Sequence, residues 1–316
     1  MKVMVVGAGH VGATTAQRIL EGELADVHLV DIKEGLAAGK ALDLAQAAPV
    51  VGHSRRITGS TTYEGGAGAE LAIVTAGLPR KPGMSRDDLI GVNGPIMAAI
   101  ARAVAKVAPE AVVIVVSNPL DVTTTIFQEE SGFPPQRVMG MAGVLDTARF
   151  RTFVGQALGC SPEDVSAMVL GGHGDSMVPL IASATVGGLP LRELLPAERL
   201  APVVERTQNG GAEIVSLLKD GSAFYAPAAA SVQMASAILR DEQRVLPACA
   251  WLTGQYGLSD LYLGVPVRLG RAGVEEIIEV AVSAEELKRL QASAAAVREQ
   301  VARWHDMRDA TLTERQ

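Results

Sequence analysis

Cysteine and positive charge are both scarce in this chain of 316 residues. Its only cysteines, Cys160 and Cys249, are too few for a disulfide framework, and their spacing fits no metal-binding knuckle. We therefore expect no disulfide-rich secreted fold and no bound metal. Lys and Arg total 28 against 35 Asp and Glu, a net charge of −7. Because binders of nucleic acids or anionic membranes usually carry the opposite balance, we expect neither as a partner.

Long apolar runs are also missing, since the longest aliphatic run, residues 111–116, is far shorter than the roughly 20 residues of a membrane span. Residue 1 leads almost directly into the strand-like segment Lys2–Val6, so we expect no signal peptide. Hydrophobic residues make up 48% of the chain, enough for large cores. Together with the few cysteines, these features lead us to expect a cytoplasmic protein. We expect two domains, because 316 residues exceed what one compact core usually holds.

Short β-branched runs alternate with helical stretches up to residue 140. Apolar runs without polar alternation are typical of strands that are covered on both faces. The pattern predicts the α/β class, with a doubly wound parallel sheet of the Rossmann type. The predicted strands are residues 3–6, 27–31, 72–75 and 112–117, and the predicted helices are residues 11–21, 36–47 and 94–108.

The sequence changes in character after Gly140, where shorter strands and helices mix. We predict one domain over residues 1–143 and a second, α+β domain over residues 144–316, joined by a packed junction. Residues 145–158 should form a helix and residues 165–170 a strand. A capping box from Ser283 to Glu286 predicts a terminal helix that packs on its own domain, followed by a polar tail from residue 308. The apolar stripe of that helix consists of Leu287, Leu290, Ala294, Val297, Val301 and Trp304.

A glycine motif, Gly7-Ala8-Gly9-His10-Val11-Gly12, lies between the first predicted strand and the first predicted helix. In this position Gly7 allows a tight turn, Gly9 lets the backbone approach a pyrophosphate, and Gly12 lets helix and strand pack closely. The phosphates would bind the free N–H groups at the helix N-terminus. Asp31, at the end of the second strand, would bind the adenine ribose and repel a 2′-phosphate. The motif therefore predicts NAD rather than NADP, with Lys33 as a weak counterweight.

Four further segments place polar side chains beyond the ends of predicted strands, where this fold binds ligands. Residues 76–86 hold three cations among prolines and glycines, which fits a lid over a ligand but also an exposed basic loop. Asn118 can orient a substrate oxygen or simply form an Asn-Pro turn. Asp146 and Arg149 share one helix face, as a surface ion pair also would. His173, flanked by glycines, is a candidate general acid and base, although a lone histidine is more often structural.

Together these motifs resemble the lactate/malate dehydrogenase superfamily over nearly the whole chain. The glycine motif, the arginine loop and residues 117–121, 145–149 and 172–175 follow in the order and approximate spacing of that family. Residues 81–86, 141–146 and 254–257 are similar to its lactate-dehydrogenase-like malate dehydrogenase branch.

The resemblance implies hydride transfer between NAD and a small 2-hydroxy acid, with residues 1–143 binding NAD and residues 144–316 binding the substrate. It implies that His173 exchanges a proton with the substrate while Asp146 holds the imidazole. Arg149 would bind the C1 carboxylate, Arg86 would polarise the carbonyl, and Asn118 would orient the substrate. The implied cofactor-binding residues are Gly7, Gly9, His10, Val11, Gly12, Asp31, Asn93, Val116 and Asn118.

Arg80 determines the substrate within this resemblance, because it stands six residues before Arg86, where malate dehydrogenases have Arg and lactate dehydrogenases have Gln. Oxaloacetate offers Arg80 a second carboxylate, whereas pyruvate would leave that cation unpaired. Ala223, at a position where lactate dehydrogenases have Thr, agrees. The resemblance thus implies (S)-malate and oxaloacetate as substrates, the tricarboxylic acid cycle as the setting, and a homotetramer or dimer. An L-lactate dehydrogenase and a non-catalytic NAD-binding regulator are the alternatives.

Overall fold

The computed structural model describes residues 1–79 and 84–313, apart from the side chains of Arg86 and residues 311–313. Its N-terminal part alternates strands and helices, as the sequence predicts. The strands are β1 (Lys2–Val6), β2 (Asp26–Val30), β3 (Ile57–Ser60), β4 (Leu71–Val74), β5 (Val112–Val115) and β6 (Val138–Gly140). The helices between them are α1 (His10–Glu21), α2 (Leu36–Val51), α3 (Arg86–Val107) and α4 (Leu120–Ser131).

These six strands form a parallel sheet in the order β3-β2-β1-β4-β5-β6. The order reverses between β1 and β4, and ligands of open α/β sheets bind beside such a switch point. Along β1, Val3 and Val5 pack in the core with α1 and α2, whereas Met4 and Val6 pack in the core with α3 and α4. Because both faces are covered, the strands lack polar alternation. The predicted doubly wound α/β sheet is confirmed.

The C-terminal part consists of shorter strands and longer helices. Its helices are α5 (Gly143–Leu158), α6 (Leu191–Leu194), α7 (Ala197–Leu218), α8 (Tyr225–Leu239) and α9 (Ala284–Thr313). Its strands are β7 (Val165–Ser166), β8 (Val169–Leu170), β9 (Val178–Pro179), β10 (Thr185–Val186), β11 (Leu189–Pro190), β12 (Arg244–Thr253), β13 (Ser259–Gly270) and β14 (Gly273–Ile277). Strand β12 joins β6 antiparallel, with Cys249 opposite Gly140, so the large sheet continues through β13 to β14. The domain boundary at residues 143 and 144 stays a prediction.

One predicted helix and one predicted strand differ clearly from the structure. Helix α3 begins at Arg86 rather than at residue 94, because Ser85 caps it. The Ser85 hydroxyl accepts from the Asp88 N–H at 3.0 Å, and the Ser85 N–H donates to the Asp88 carboxylate at 2.8 Å. The predicted strand over residues 165–170 is divided into β7 and β8, which pair with different neighbours.

Helix α9 begins at the predicted capping box, in which the Ser283 N–H donates to Glu286 at 2.8 Å and the Glu286 N–H donates to Ser283 at 3.2 Å. The helix continues through Thr313, so the prediction of a polar tail from residue 308 is wrong over residues 308–313. Its apolar stripe also packs beyond its own domain. Trp304 is buried in the core with α3 and α4, where a side chain on Gly94 would overlap its indole.

By length and hydropathy alone, Asp87–Val107 is long and apolar enough to cross a membrane. Half of its most apolar stretch is buried inside the fold, however, as in the core helices of globular proteins. Ile90, Met97 and Ala101 on this helix pack against the large sheet. The expectation of no membrane partner stays a prediction.

Candidate active site

The glycine motif forms the turn from β1 into α1. Gly7 has φ +102°, a conformation that favours glycine, and an added Cβ would lie 2.6 Å from the backbone nitrogen of Ala76. A Cβ on Gly12 would overlap the carbonyl oxygen of Gly7. Close packing therefore requires glycine at both positions. The sequence predicts this for Gly12, and the positive φ of Gly7 fits the tight turn predicted there.

Gly9 faces open space at the N-terminus of α1. A Cβ at this position would have no neighbour within 4 Å among the described residues. The helix has no side-chain cap there, so its first N–H groups are available to an anion. His10 is exposed and its ring lies 5.0 Å from that of Phe224, while Val11 is half-buried. The turn thus fits the pyrophosphate of a dinucleotide.

Asp31 follows β2 and braces the same turn. Its carboxylate accepts the N–H of Ala8 at 2.8 Å and the N–H of Lys33 at 2.9 Å. Lys40 of α2 was not predicted, yet its ammonium donates to the carbonyl of Ala8 at 2.7 Å. No spacing rule in the sequence indicates Lys40, because the contact depends on how α2 packs beside the glycine turn.

His173, Asp146 and Arg149 form a cluster of three, as the sequence predicts. Asp146, in the first turn of α5, is 2% exposed, and its carboxylate bonds both neighbours. One oxygen lies 2.9 Å from His173 Nδ1, and the other accepts from Arg149 Nη1 at 3.2 Å. The side chains of His173 and Arg149 are 18% and 13% exposed. A buried carboxylate therefore fixes a histidine and an arginine that are both partly exposed.

The charges around His173 favour its protonated form. Burial lowers the pKa of the imidazole, but the charge and the hydrogen bond of Asp146 raise it. The charge of Asp121 also raises the pKa of His173, whereas the charge of Arg149 lowers it. The net result is a pKa above the ordinary value of 6.5. The imidazole can therefore hold a proton near neutral pH and release it, as a general acid and base must.

Val116 and Asn118 follow β5, which is separated from β1 by β4. Asn118 is exposed and Val116 is half-buried, so the side chain of Asn118 can reach a ligand in the cleft. Asn93 is buried, and its side-chain amide bonds the backbone of two segments. It accepts from Leu78 N–H at 2.8 Å and donates to the carbonyl of Asn118 at 2.7 Å. Asn93 thus joins the base of the arginine loop to β5, whereas its predicted contact with the cofactor stays a prediction.

The two remaining predicted arginines are Arg80 and Arg86. Arg80 lies outside the described residues, as does the side chain of Arg86, whose backbone begins α3. Their roles at the substrate stay predictions.

One buried acidic residue that the sequence analysis gave no role lies directly beside His173. Asp121 of α4 accepts the backbone N–H of His173 at 3.0 Å. The signal in the sequence was an acid three residues after Asn118, but an acid in the first turn of a helix is common and usually exposed. Within residues 1–79 and 84–313, no group of three His, Cys, Asp or Glu side chains could hold a metal ion.

Comparisons with known proteins agree with this geometry. The family model for the lactate/malate dehydrogenase NAD binding domain matches residues 1–140, and that for the lactate/malate dehydrogenase alpha/beta C-terminal domain matches residues 143–307. The malate dehydrogenase of Thermomicrobium roseum is 56% identical over 300 residues, which cover 95% of this chain and 97% of the relative.

Solved structures of both activities superimpose closely. The malate dehydrogenase of Salinibacter ruber has a TM-score of 0.94 at 46% identity, covering 98% of this chain and 100% of that one. The lactate dehydrogenase of Cryptosporidium parvum, solved with lactic acid and cofactor, has a TM-score of 0.93 at 40% identity, covering 96% and 98%. The chain therefore belongs to the lactate/malate dehydrogenase family, with an NAD-binding N-terminal domain and an α/β C-terminal domain.

Proposed function

We propose that this chain is an NAD-dependent malate dehydrogenase that interconverts (S)-malate and oxaloacetate. The observation that carries the proposal is the Asp146 carboxylate, bonded at once to His173 Nδ1 and to Arg149 Nη1. That arrangement combines a proton donor and an anion-binding group in one buried cluster. Relatives more than 50% identical to this chain over most of its length carry the name malate dehydrogenase.

His173 supplies the proton in this account. Because Asp146 occupies Nδ1, Nε2 is the nitrogen that can face the C2 oxygen of the substrate. Bound NAD(H) supplies the hydride donor or acceptor. In the reduction of oxaloacetate, protonated His173 gives its proton to the C2 oxygen, and in the oxidation of malate the neutral ring takes it back. Asp146 holds the ring in one tautomer and stabilises the imidazolium.

Arginines provide the specificity for a dicarboxylate. Arg149 binds the C1 carboxylate through its planar guanidinium. Arg86 stabilises the charge that develops on the C2 oxygen, and Arg80 pairs with the second carboxylate of oxaloacetate. Pyruvate, the substrate of a lactate dehydrogenase, carries a methyl group in place of that second carboxylate and would leave Arg80 without an anionic partner. Malate is therefore the proposed substrate rather than lactate.

Loss of NADH absorbance on addition of oxaloacetate tests the proposal. We expect His173→Asn to keep the Kd for NADH nearly unchanged and to lower turnover by at least about 100-fold, as removal of a general acid does. Turnover equal to that of the wild type would contradict the role of His173. Loss of NADH binding in a folded variant would assign His173 to the cofactor site instead.

The cellular setting and the assembly complete the proposal. We place the enzyme in the cytoplasm, in the tricarboxylic acid cycle, as a homotetramer built through helices of both domains. Helix α2 supports an assembly, because Leu42, Val50 and Val51 are exposed on a helix that buries only alanines fully. Light scattering after size exclusion tests this, with four protomers expected; a dimer is the alternative assembly, and a monomer would contradict the proposal.

A further inference from the structure

Asp121 is a buried carboxylate that the catalytic roles above do not use. It lies in the first turn of α4 and is 7% exposed. One of its oxygens accepts the backbone N–H of His173 at 3.0 Å, and the other accepts the thiol of Cys249 at 3.3 Å. Each carboxylate oxygen thus has a partner, and both partners come from the C-terminal part of the chain.

The peptide that carries His173 is held by side chains more than by a strand. Gly171 pairs with Gly264 of β13, and the N–H of Gly172 donates to the Ser293 hydroxyl of α9 at 2.8 Å. A Cβ on Gly172 would lie 2.9 Å from the side chain of Val297. The next N–H along the chain is that of His173, and Asp121 accepts it. Asp121 therefore fixes the amide of the residue that exchanges the proton.

Burial and hydrogen bonding act in opposite directions on the carboxyl group of Asp121. Burial raises its pKa above the ordinary value of 3.8, and the His173 N–H, the charge of His173 and the Cys249 thiol offset part of that rise. The N-terminus of α4 also stabilises a negative charge. Burial raises the pKa of Cys249, and Asp121 raises it further. Cys249 consequently remains a thiol that donates a hydrogen bond and does not act as a nucleophile.

We propose that Asp121 is a positioning residue: its carboxylate fixes the peptide that carries His173, so that the imidazole meets Asp146 in the productive orientation. This inference rests on the proposed role of His173 in proton exchange. Three charged groups among the described residues act on the imidazole, namely Asp146 and Arg149 from α5 and Asp121 from α4. Asp121 supports the proton on the ring together with Asp146 and against Arg149.

Two substitutions separate the position of His173 from the charge beside it. Asp121→Ala removes both the acceptor and the charge, and we expect kcat for oxaloacetate to fall by about 10- to 100-fold with the Kd for NADH unchanged. Asp121→Asn retains an oxygen that can accept the His173 N–H but removes the charge. We expect a smaller loss of kcat in this variant. As the pH is raised, its rate of oxaloacetate reduction should begin to decline at a lower pH than that of the wild type.

The titration of the His173 ring, followed by NMR on histidine-labelled protein and assigned with His173→Asn, gives a readout that does not depend on turnover. We expect its pKa to fall in Asp121→Asn. Thr125→Val is the matched control, because Thr125 lies one turn further along α4 and donates only to the backbone carbonyl of Asp121, at 2.8 Å. This control should leave both the titration and kcat at their wild-type values.

Wild-type kcat in a folded Asp121→Ala protein would overturn the inference. If Asp121→Ala does not fold, wild-type titration of His173 together with wild-type kcat in Asp121→Asn would overturn the requirement for a carboxylate at this position. The same NMR titration also separates the two proposals. If the wild type fails to reduce oxaloacetate, the proposed function is contradicted. A fall of the His173 pKa in Asp121→Asn would still support the effect of the Asp121 charge on His173.

Discussion

Arg149 illustrates how much of the proposed chemistry depends on the shape of a single side chain. Its guanidinium bonds Asp146 on one side and lies along α7 on the other. A Cβ on Gly210 would lie 3.2 Å from its Cδ, and one on Gly211 would lie 3.4 Å from its Nη2. Two consecutive glycines therefore leave the room in which the planar group sits, and that group is oriented before any substrate arrives.

We expect Arg149→Lys to lower kcat/KM for oxaloacetate by roughly 100-fold, because lysine keeps the charge but cannot form two parallel hydrogen bonds to a carboxylate. Arg151→Lys is the control. Arg151 lies two residues further along α5 and donates to the carbonyl of Pro162, at 3.1 Å. Steady-state kinetics of both variants test this prediction. Equal values of kcat/KM for oxaloacetate in Arg149→Lys and Arg151→Lys would show that Arg149 does not bind the substrate.

Asp31 is expected to have two effects on the cofactor. It repels a 2′-phosphate, and it also braces the glycine turn through the Ala8 N–H. Asp31→Ser should therefore weaken NADH binding and, at the same time, reduce the preference for NADH over NADPH by about tenfold or more. Fluorescence titration with both cofactors measures this. An unchanged ratio of the two Kd values would show that Asp31 does not face the ribose.

The role of a single residue was predictable where the residue belongs to a sequence motif. It was not predictable where the role depends on how separate elements pack together. The glycines, Asp31, Asp146 and His173 belong to short patterns whose spacing follows from the chemistry. Lys40 and Asn93 act through contacts between elements, and the sequence holds no sign of those contacts. The predicted contact of Asn93 with the cofactor stays a prediction, and its amide also joins Leu78 to Asn118.

At the scale of elements, the turn from β1 to α1 offers two glycines with opposite expected behaviour. Gly9→Ala should fold with wild-type stability, because its Cβ meets no described atom within 4 Å, but should weaken NADH binding by occupying the space of the pyrophosphate. Gly12→Ala should lower the melting temperature of the free protein, since its Cβ overlaps the carbonyl of Gly7.

Thermal unfolding without cofactor and NADH titration distinguish these two effects. A Gly9→Ala protein that binds NADH with the wild-type Kd would contradict the placement of the pyrophosphate. A Gly12→Ala protein as stable as the wild type would contradict the close packing of α1 on β1.

The buried His28 of β2 makes the stability of the N-terminal sheet sensitive to acid. Its Nδ1 lies 2.8 Å from the Thr58 hydroxyl and its Nε2 lies 3.2 Å from the Ser60 hydroxyl, both on β3. Burial lowers the pKa of His28 and Lys2 adds to this, whereas the Thr62 carbonyl and Glu64 act against it. The folded pKa thus lies below the ordinary 6.5.

Because the folded pKa is depressed, His28 is neutral in both states well above pH 6.5 and has no effect on the free energy of unfolding there. Below that pH the unfolded chain takes up the proton first, so the free energy of unfolding falls. We expect His28→Gln to reduce this slope between about pH 7 and 5 in urea unfolding. A slope identical to that of the wild type would contradict the role of His28.

Elements were predictable where an apolar run is uninterrupted, as in β1, β4 and β5. Helix α4 was not predicted, because its run of threonines disfavours a helix by propensity. In the folded chain those hydroxyls bond the carbonyls of the preceding turn, with Thr124 donating to Leu120 at 2.8 Å. Strand β3 is a short, partly exposed edge strand with a single large apolar residue, Ile57, so its pattern was too weak to recognise.

At the scale of the whole molecule, the two halves of the chain are more continuous than two separate domains would be. The large sheet passes from β6 into β12, and α9 packs across α3 and α4. The periodicity of the apolar stripe on α9 predicts which of its residues are buried. It does not predict which elements they pack against. Trp304 on Gly94 is the clearest case, since only the folded chain brings the two together.

The ratio of kcat/KM for oxaloacetate to kcat/KM for pyruvate, with NADH, tests the central claim most directly. A desolvated arginine without a partner costs roughly 2–5 kcal/mol, so oxaloacetate should be preferred by at least about 30-fold. A ratio near one, or a preference for pyruvate, would contradict the assignment of this chain as a malate dehydrogenase.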